Sequence, residues 1–416
     1  RGETAFEAAF GAGKDDGGHG RSSGLVRGWR ARSWRLYSAG ADFRNSSEMS
    51  RIYLDHAATT PLRPEAREAM RRGFEMWANP SSPHAEGRKA RAALEDARER
   101  VKAALGWGGE VIFTSGASEA AERALDNTDV LFKFGSTVEH DSIHAFSRYM
   151  DFEDLPVGRN GAVDPETVGA KVPVATLGEW NEARSLVAVQ HVNSETGNRQ
   201  PIEAIADHVH AKHGYMLVDC SQSAGKMSIP TDSDFVVVSA HKFGGPIGIG
   251  ALLVKDFASL KASGGQERGY RRGTENLPGA LGMAAGLDAC AEPYVDTDVL
   301  EPLDAFAAEV RKLGGVWLSD RLAESTPYIR AIAMPGLSGS AQLMRFDLQG
   351  ISVSLGSACS SGSLHSSHVL KAMGVPDEEA ERTIRVSFGW NTTRAEVSRF
   401  CETWLAMARE AAERAA

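Results

Sequence analysis

The sequence is 416 residues long, with 46 Lys and Arg against 55 Asp and Glu and a formal net charge of −9. Hydrophobic residues make up 42 % and charged residues 24 %, which excludes collagen, a coiled coil and disorder throughout. The acidic balance argues against a nucleic-acid binder, and no apolar run approaches the roughly 20 residues that span a bilayer. Four cysteines are too few for a disulfide-built secreted fold, so we expect a protein of a reducing, cytoplasmic compartment.

Residues 1–48 differ from the rest of the chain in composition. They are rich in Gly, Ser and Arg and show no sustained hydrophobic period. We expect a disordered tail or an artificial extension, because so little apolar surface could be buried. The alternative is an organelle transit segment, since Arg-rich segments with few acids serve that purpose, and a mitochondrial or other organelle location would then apply.

From residue 52 onward, predicted helices and strands alternate. Helices are predicted over residues 65–77, 84–105, 202–213 and 279–291 and from residue 394. Strands are predicted over residues 111–114, 186–192, 216–218, 234–238, 250–254, 328–333 and 383–387. Apolar strands alternating with helices predict an α/β fold with a parallel or mixed sheet that is covered on both faces.

The pattern changes after residue 278, which indicates two domains. We expect a large domain over residues 49–295 and a smaller α+β domain over residues 296–416. The arm at residues 50–65 could pack with the smaller domain.

Polar side chains follow three of the predicted strands. Asn193, Asp219 and Ser239 each stand where an apolar strand ends. In open α/β sheets, ligands bind at the edge formed by the carboxyl ends of the strands. The sequence therefore predicts a ligand site at this edge.

Residues 114–119 (TSGASE) follow a strand and open a helix. Small residues allow a ligand to approach the backbone, and the first N–H groups of a helix attract an anion. The segment therefore predicts a phosphate site, and an ordinary strand–helix turn with Ser118 as its cap is the alternative.

Lys242 directly follows a buried strand and is enclosed by Gly and Pro residues. Burial lowers the pKa of a lysine, and a neutral amine can form a Schiff base. A side chain that escapes to solvent is the alternative. Asp219 could hold a protonated pyridine nitrogen, or could cap the next helix.

Three further side chains are candidates for chemistry. His140 could stack on a cofactor ring and move protons, or could be structural. Cys359 stands among Gly, Ser and Ala residues, so its thiolate is a candidate nucleophile, or an exposed cysteine without a role. Arg385 lies within a strand and needs a carboxylate partner, either from the protein or from a substrate. The sequence contains no metal-binding motif, so we expect no metal.

Together these segments resemble the cysteine desulfurases of the NifS and IscS type, which are class V, fold type I, pyridoxal-phosphate enzymes. The resemblance covers the chain from residue 50 to the last helix. It is carried, in chain order, by IYLDHAATTP (52–61), NPSSPH (79–84), TSGASE (114–119), HVNSETG (191–197), DCSQ (219–222), SAHK (239–242), RRGTEN (271–276), GSACSSGS (356–363) and IRVS (384–387). It implies a large domain with a mostly parallel, seven-stranded sheet.

The resemblance implies how the cofactor is held. Lys242 would carry it as a Schiff base and move protons, and His140 would stack on its ring and act as acid or base. Asp219 would pair with the pyridine nitrogen and Gln222 would bond the ring hydroxyl. The phosphate would be held by Ala117, Ser118, Ser239, His241 and, from a second subunit, Thr274.

The resemblance also implies the reaction. Asn193, beside the cofactor, and Arg385 would hold the carboxylate of L-cysteine. Cys359 would attack the substrate sulfur, and the products would be L-alanine and a persulfide on Cys359. The long spacing from Cys359 to Val369 favours transfer to an iron–sulfur scaffold protein or another acceptor, from a homodimer without a nucleic-acid or membrane partner.

Two other functions remain open at this stage. A selenocysteine lyase, or another class V lyase or aminotransferase, would use the same fold, although an aminotransferase needs no thiol at Cys359. A non-catalytic scaffold is the second alternative. The chain also departs from the family, with Ile247 at a position that usually holds a basic residue and with Ala120 and Ala121 at positions that often hold Asn. Its segment 124–137 looks shorter and more irregular than is usual in the family.

Overall fold

The structure is a computed structural model that describes residues 51–148, 152–175, 184–290, 293–356 and 367–415. The expected tail over residues 1–48 and the candidate nucleophile Cys359 lie outside the described residues. Among the residues that are described, no helix is both long and apolar enough to cross a membrane.

The described part of the chain contains helices and strands in alternation. The helices are α1 (Pro64–Met76), α2 (Ala85–Leu105), α3 (Ala117–Asn127), α4 (Asp141–His144), α5 (Pro165–Lys171), α6 (Ile202–His210), α7 (Leu277–Asp288), α8 (Thr297–Leu300), α9 (Pro302–Lys312), α10 (Gly339–Leu348), α11 (His368–Ala372), α12 (Asp377–Glu381) and α13 (Arg394–Ala415). The strands are β1 (Ile52–Tyr53), β2 (Glu110–Thr114), β3 (Phe132–Ser136), β4 (Phe152–Leu155), β5 (Ser185–Gln190), β6 (Tyr215–Asp219), β7 (Phe235–Ser239), β8 (Gly250–Val254), β9 (Val316–Trp317), β10 (Ile329–Ala333), β11 (Ile351–Ser352) and β12 (Thr383–Ser387).

Seven of the described strands form one sheet in the order β2-β8-β7-β6-β5-β3-β4. The pairs from β7 to β4 are parallel, and β8 runs antiparallel to both of its neighbours. The prediction of an α/β fold with a mostly parallel, seven-stranded sheet is therefore confirmed.

The central strands are apolar on both faces because helices cover the sheet on both sides. In β5, Val187 and Val189 belong to one buried cluster, whereas Leu186 and Ala188 belong to another. The first cluster includes apolar residues of α2 and α7, and the second includes those of α3. Both faces of the sheet are therefore buried, and the parallel orientation of its strands brings their carboxyl ends to a single edge.

A third apolar cluster, with its own small sheet, is built mainly from the C-terminal part of the chain. Strands β12, β10 and β9 pair antiparallel, and Phe306, Phe400 and Trp404 pack edge to face behind them. The short strand β1 pairs in parallel with β11, which ties the start of the described chain to this part. Residues 49–416 form a single compact unit. The division near residues 294–300 stays a prediction.

The structure corrects several details of the predicted elements. The segment 124–137, for which no element was predicted, completes α3 and then forms β3. Gly135 of β3 packs closely under the ring of Phe152, which leaves no room for a side chain there. The predicted strand 186–192 ends at Gln190, so Asn193 lies three residues beyond it, whereas Asp219 and Ser239 are the last residues of β6 and β7.

Candidate active site

A cavity of about 560 Å³ lies at the carboxyl ends of the parallel strands. This volume is typical of a cleft for a small molecule or cofactor. Eight of the site residues predicted from the sequence line it: Ala117, Ser118, His140, Asp219, Gln222, Ser239, His241 and Lys242. Asn193, Thr274 and Arg385 are not among the described residues that line the cavity.

The N-terminus of α3 borders the cavity through Gly116, Ala117 and Ser118. Gly116 has φ 156° and ψ −175°, a conformation that favours a residue without a side chain. A Cβ atom at Gly250, on the neighbouring strand, would lie 2.8 Å from the Cα of Gly116. These two glycines let the chain turn sharply from β2 into α3. The first N–H groups of this 11-residue helix therefore face the cavity, where they form an anion site.

Lys242 lies in the single 3₁₀ turn, Ala240–Lys242, that follows β7. Its Nζ donates hydrogen bonds to the carbonyl of Ala57 at 2.6 Å and to that of Ala58 at 2.9 Å. Among the described residues that line the cavity, Lys242 is the only lysine. An amine at this position can bind a carbonyl group that enters the cavity.

Asp219 is buried at the end of β6, with 5 % of its surface exposed. Among the described residues, its carboxylate accepts one hydrogen bond, on Oδ1 from the N–H of Ser221 at 2.8 Å. The hydroxyl of Ser221, which also lines the cavity, has no partner in the described part of the chain. A buried carboxylate beside an unsatisfied hydroxyl is suited to a ligand that brings its own N–H or charge.

His140 precedes α4 as its N-cap residue. Its Nδ1 accepts the main-chain N–H of Ser142 at 3.1 Å and lies 3.0 Å from the hydroxyl of Ser142. Because a main-chain N–H can only donate, Nδ1 is the acceptor and the neutral ring carries its proton on Nε2.

Glu139 lies beside His140 and was not singled out from the sequence. Its Oε1 accepts from the hydroxyl of Ser136 at 2.5 Å and from the N–H of Gln190 at 2.9 Å, whereas its Oε2 has no partner among the described residues. Burial, together with the nearby charge of Asp219, raises the pKa of Glu139 to about 8. The group therefore carries a proton at neutral pH.

Ser239 and His241 border the cavity on either side of Ala240. The Nδ1 of His241 lies 3.1 Å from the hydroxyl of Thr59. Burial and the positive charge of Lys242 lower the pKa of His241 to about 4, so its ring is neutral at pH 7. A neutral imidazole can still donate one N–H to an anion at this end of the cavity.

Asn193 is buried, and its side-chain oxygen is used within its own turn. Its Oδ1 accepts from the N–H groups of Glu195 and Thr196, each at 2.9 Å, and its Nδ2 donates to the carbonyl of Val138 at 3.1 Å. The side chain therefore fixes the loop after β5.

Arg385 lies on β12 with 1 % of its surface exposed. Its Nη2 pairs with Asp55 Oδ1 at 2.8 Å, and its Nη1 donates to the carbonyl of Ser194 at 2.9 Å. The protein thus supplies a carboxylate partner, which was one of the two possibilities left open by the sequence. Its Nε is buried without a hydrogen-bond partner among the described residues.

Thr274 is exposed on the segment that follows Arg271. Arg271 donates through Nε to Glu119 Oε1 at 2.9 Å, which attaches this segment to the first turn of α3. Although partial burial opposes it, the bonds from Arg271 and Ser115 lower the pKa of Glu119 to about 2. The segment is thereby held beside the anion site but with Thr274 facing outward.

The donors and acceptors in the cavity fit pyridoxal phosphate. Lys242 supplies an amine for its aldehyde, and Asp219 supplies a carboxylate with a free oxygen for its pyridine nitrogen. The opening of α3 supplies N–H groups for its phosphate, at the place where Gly116 and Gly250 leave room. These features of the described residues are complementary to the three polar ends of that cofactor.

Comparison with known proteins gives the same assignment. The family model described as Aminotransferase class-V matches residues 52–400. The cysteine desulfurase IscS of Dictyoglomus turgidum is 35 % identical over 369 residues, which are 83 % of this chain and 92 % of the relative. A cysteine desulfurase of Cereibacter sphaeroides is 35 % identical over 380 residues, covering 85 % of this chain and 95 % of that protein.

A solved structure of a NifS-like protein superposes with a TM-score of 0.76 at 28 % identity. The alignment covers 86 % of this chain and 99 % of the solved one. The fold, the arrangement of the cavity and these relatives agree, and we conclude that the chain belongs to the aminotransferase class-V family of pyridoxal-phosphate enzymes.

Proposed function

We propose that the protein is a cysteine desulfurase, which removes sulfur from L-cysteine to give L-alanine and a persulfide on Cys359. The observation that carries this proposal is the cavity itself, where Lys242, Asp219 and His140 meet beside an anion site at the end of α3. The relatives named cysteine desulfurase support the choice of substrate.

The cofactor would be held by residues at both ends of the cavity. The N–H groups of Ala117 and Ser118, the hydroxyl of Ser239 and the ring of His241 would bind its phosphate. Asp219 and Gln222 would contact its ring nitrogen and ring oxygen. Lys242 would anchor pyridoxal phosphate in the cavity, and the cofactor, when bonded to the amine of the substrate, would draw electrons from Cα and so weaken the bond between Cβ and sulfur.

Lys242 and His140 would move the protons. The amine of Lys242 would take the proton from Cα of the bound substrate. His140 keeps its proton on Nε2, because Nδ1 is occupied by the N–H of Ser142, and can therefore donate it as a general acid. The carbonyls of Ala57 and Ala58 hold the protonated form of Lys242 within the cavity.

Arg385 would hold the substrate carboxylate. The ion pair with Asp55 fixes the plane of the Arg385 guanidinium group. The Nε of Arg385 has no hydrogen-bond partner among the described residues. Asn193 would contribute by fixing the loop that carries Ser194, whose carbonyl accepts from Arg385.

Cys359 would accept the sulfur. Its thiolate attacks the sulfur of the bound cysteine, an S–S bond forms, and the bond between sulfur and Cβ breaks. The electron pair of the broken bond goes to the substrate carbon, which is then protonated to give alanine. Cys359 is left as a persulfide, and a second thiol on an acceptor protein, such as an iron–sulfur scaffold, takes the sulfur from it.

We also propose that the enzyme is a homodimer with a large domain over residues 49–295 and a small one over residues 296–416. Thr274 is exposed beside the anion site, where it could reach the phosphate of a second subunit. The exposed apolar side chain of Ile247 lines the mouth of the cavity, as expected for a surface covered by a partner. A cytoplasmic location would keep the thiol of Cys359 reduced.

The test is an assay of the purified protein with L-cysteine and a thiol reductant. We expect equal amounts of alanine and sulfide, together with covalent labelling of the protein by the cofactor after reduction with borohydride. The Lys242→Ala variant should lose the covalent label, and Cys359→Ala should keep the label and lose sulfide release.

Two matched variants serve as controls. Cys290→Ala removes a half-buried cysteine and Lys212→Ala removes a partly buried lysine outside the cavity, and both should behave like the wild type. Sulfide release by Cys359→Ala at the wild-type rate would contradict the persulfide step. Retained covalent labelling of Lys242→Ala would contradict the role given to that amine.

A further inference from the structure

A second lysine lies behind the cavity. Lys226 is in the turn that follows β6 and has 5 % of its surface exposed. Its Nζ donates to Gln222 Oε1 at 3.1 Å and lies 5.4 Å from the ring centre of Tyr294 and 5.2 Å from that of Tyr328. The ammonium group is therefore enclosed by one amide oxygen and two aromatic faces.

This environment is costly for a charged lysine. No carboxylate of the described chain lies within ion-pair distance of Lys226, and the nearest charges that act on it include the cations Lys242 and Arg385. Burial, with the repulsion from those two cations, lowers the pKa of Lys226 to about 7. The aromatic faces compensate only in part, because a cation–π contact contributes about 0.5–2 kcal/mol.

The side-chain amide of Gln222 connects Lys226 with the cavity. Its Oε1 accepts from Lys226, and its Nε2 donates to the carbonyl of Ala57 at 2.8 Å. The same carbonyl accepts from Nζ of Lys242 at 2.6 Å. The two lysines are thus joined through one amide and one carbonyl, and Gln222 lines the cavity between them.

The chemistry of the partners fixes which way this amide faces. The ammonium form of Lys226 can only donate, and so binds the oxygen of the amide, and the neutral amine that forms at higher pH still has two N–H groups that can bind the same oxygen. The carbonyl of Ala57 can only accept, and so binds one N–H of the amide. The second N–H of Nε2 can then donate to a group within the cavity, whereas the amide oxygen faces Lys226 and not the cavity.

We propose that Lys226 is a positioning residue for the cofactor: it holds the amide of Gln222 so that an N–H, and not the oxygen, is presented to the ring oxygen of pyridoxal phosphate. This inference rests on the proposed function, because it assumes that Gln222 contacts that ring oxygen. Lys226 acts through Gln222 and does not itself line the cavity.

A purely structural role does not account for the arrangement as well. The main chain at Gln222 is already anchored, since the hydroxyl of Tyr328 donates to its carbonyl at 2.9 Å. The turn after β6 has further main-chain hydrogen bonds, from Ser223 and Ala224 to the carbonyl of Cys220. A methionine would fill the volume of Lys226 without burying a charge, so the ammonium is explained by the orientation of the amide.

The test is the pKa of the nitrogen that joins Lys242 to the bound cofactor, followed through the visible absorption of the cofactor between pH 6 and 10. An N–H donor disperses the negative charge of the ring oxygen and so weakens its hold on the proton of that nitrogen. Lys226→Met should therefore raise this pKa by about one unit, the size of effect expected of a lost neighbouring donor or charge.

A double-mutant comparison separates an effect through Gln222 from a direct effect of charge. In a Gln222→Met background, the same Lys226→Met change should produce a much smaller shift. Equal shifts in the two backgrounds, or no shift in either, would overturn the proposal. If Lys226→Met does not fold, Lys226→Gln is measured instead, with the same comparison deciding.

Lys212→Met is the matched control, since this partly buried lysine donates to the main-chain carbonyl of Val172 at 2.7 Å but lies outside the cavity. It should leave the spectrum unchanged. A wild-type protein that binds no cofactor would contradict the proposed function itself, whereas a wild type with the cofactor and a Lys226→Met variant with an unshifted pKa would contradict only the role of Lys226.

Discussion

The ring nitrogen Nδ1 of His140 accepts a hydrogen bond from the main-chain N–H of Ser142 at 3.1 Å. This one hydrogen bond caps α4 and also determines which ring nitrogen of His140 carries the proton. The cap satisfies an N–H that would otherwise lack a partner at the start of the helix. The tautomer leaves the proton on Nε2. Structure and acid–base chemistry at His140 are therefore coupled, and a substitution can separate them.

Replacing His140 by Asn should abolish the acid–base function and keep the cap, because an Asn side chain also accepts an N–H at this position. We expect the rate of alanine formation to fall about 10²-fold or more, the usual size of general acid–base catalysis. His140→Ala should lose the same activity and in addition about 1 kcal/mol of stability. Turnover and urea unfolding of both variants provide the measurement, and equal stability of the two would contradict the capping role.

Arg385 supports a prediction about substrate binding. Arg385→Lys keeps the positive charge but cannot contact Asp55, Ser194 and a substrate carboxylate in one plane. A charge-assisted hydrogen bond contributes about 1.5–3 kcal/mol, so we expect KM for L-cysteine to rise at least about 10-fold with a smaller change in cofactor affinity. Arg330→Lys, on the adjacent strand, is the control, because Arg330 donates to the carbonyl of Ile329 outside the cavity. A larger effect on cofactor affinity than on KM would argue against substrate binding by Arg385.

Several site residues could be predicted because they follow a regular pattern. Asp219 and Ser239 end apolar strands, and Lys242 follows the second of them, so the topology of a parallel sheet brings all three to one edge. The segment 114–119, which follows β2 and opens α3, indicated the anion site in the same way. For these residues, the position at the end of a predicted strand is enough to place them at the carboxyl edge of the sheet.

Other residues could not be predicted, since their surroundings come from distant parts of the chain. Lys226 stands in the sequence SAGK, which is typical of a solvated turn, but it is buried with its Nζ against the rings of Tyr294 and Tyr328. The partner of Arg385 is Asp55, which is 330 positions away. Strand β3, which contains Lys133 and Gly135, lacks a continuous apolar run and is defined by its pairing with β4 and β5.

Glu139 predicts a distinct pH dependence of stability. Its pKa is raised from 4.5 to about 8 in the folded protein, so between these pH values the unfolded chain has lost a proton that the folded protein keeps. The contribution of Glu139 to the free energy of unfolding therefore falls as the pH rises from about 5 to 8, by up to about 1.4 kcal/mol per pH unit.

Glu139→Gln removes this dependence and keeps an oxygen for the donors Ser136 and Gln190. The free energy of unfolding of the variant relative to the wild type should thus increase between pH 6 and pH 8, as measured by urea denaturation at constant ionic strength. Glu153→Gln, at an exposed position of β4, should show no such trend. A difference between Glu139→Gln and the wild type that stays constant over this range would show that Glu139 is ionised in the folded protein.

Arg98 and Glu267 form an ion pair within the core, with side chains 2 % and 1 % exposed and 2.8 Å between Nη1 and Oε2. The same Oε2 accepts the N–H of Phe113 at 3.0 Å, so Glu267 attaches its segment to β2. Arg98→Met would leave this carboxylate buried and unpaired, and we expect a loss of about 3–5 kcal/mol in the free energy of unfolding.

The control for this prediction lies on the same helix. Arg100 pairs with Asp288 at 2.8 Å, but both side chains are partly exposed, so Arg100→Met should cost at most about 1 kcal/mol. The double variant Arg98→Met with Glu267→Gln should recover most of the loss, because no charge is then left in the core. Urea unfolding of the single and double variants is the measurement. If the double variant is as unstable as Arg98→Met, the loss comes from packing against Phe113 and not from the unpaired carboxylate.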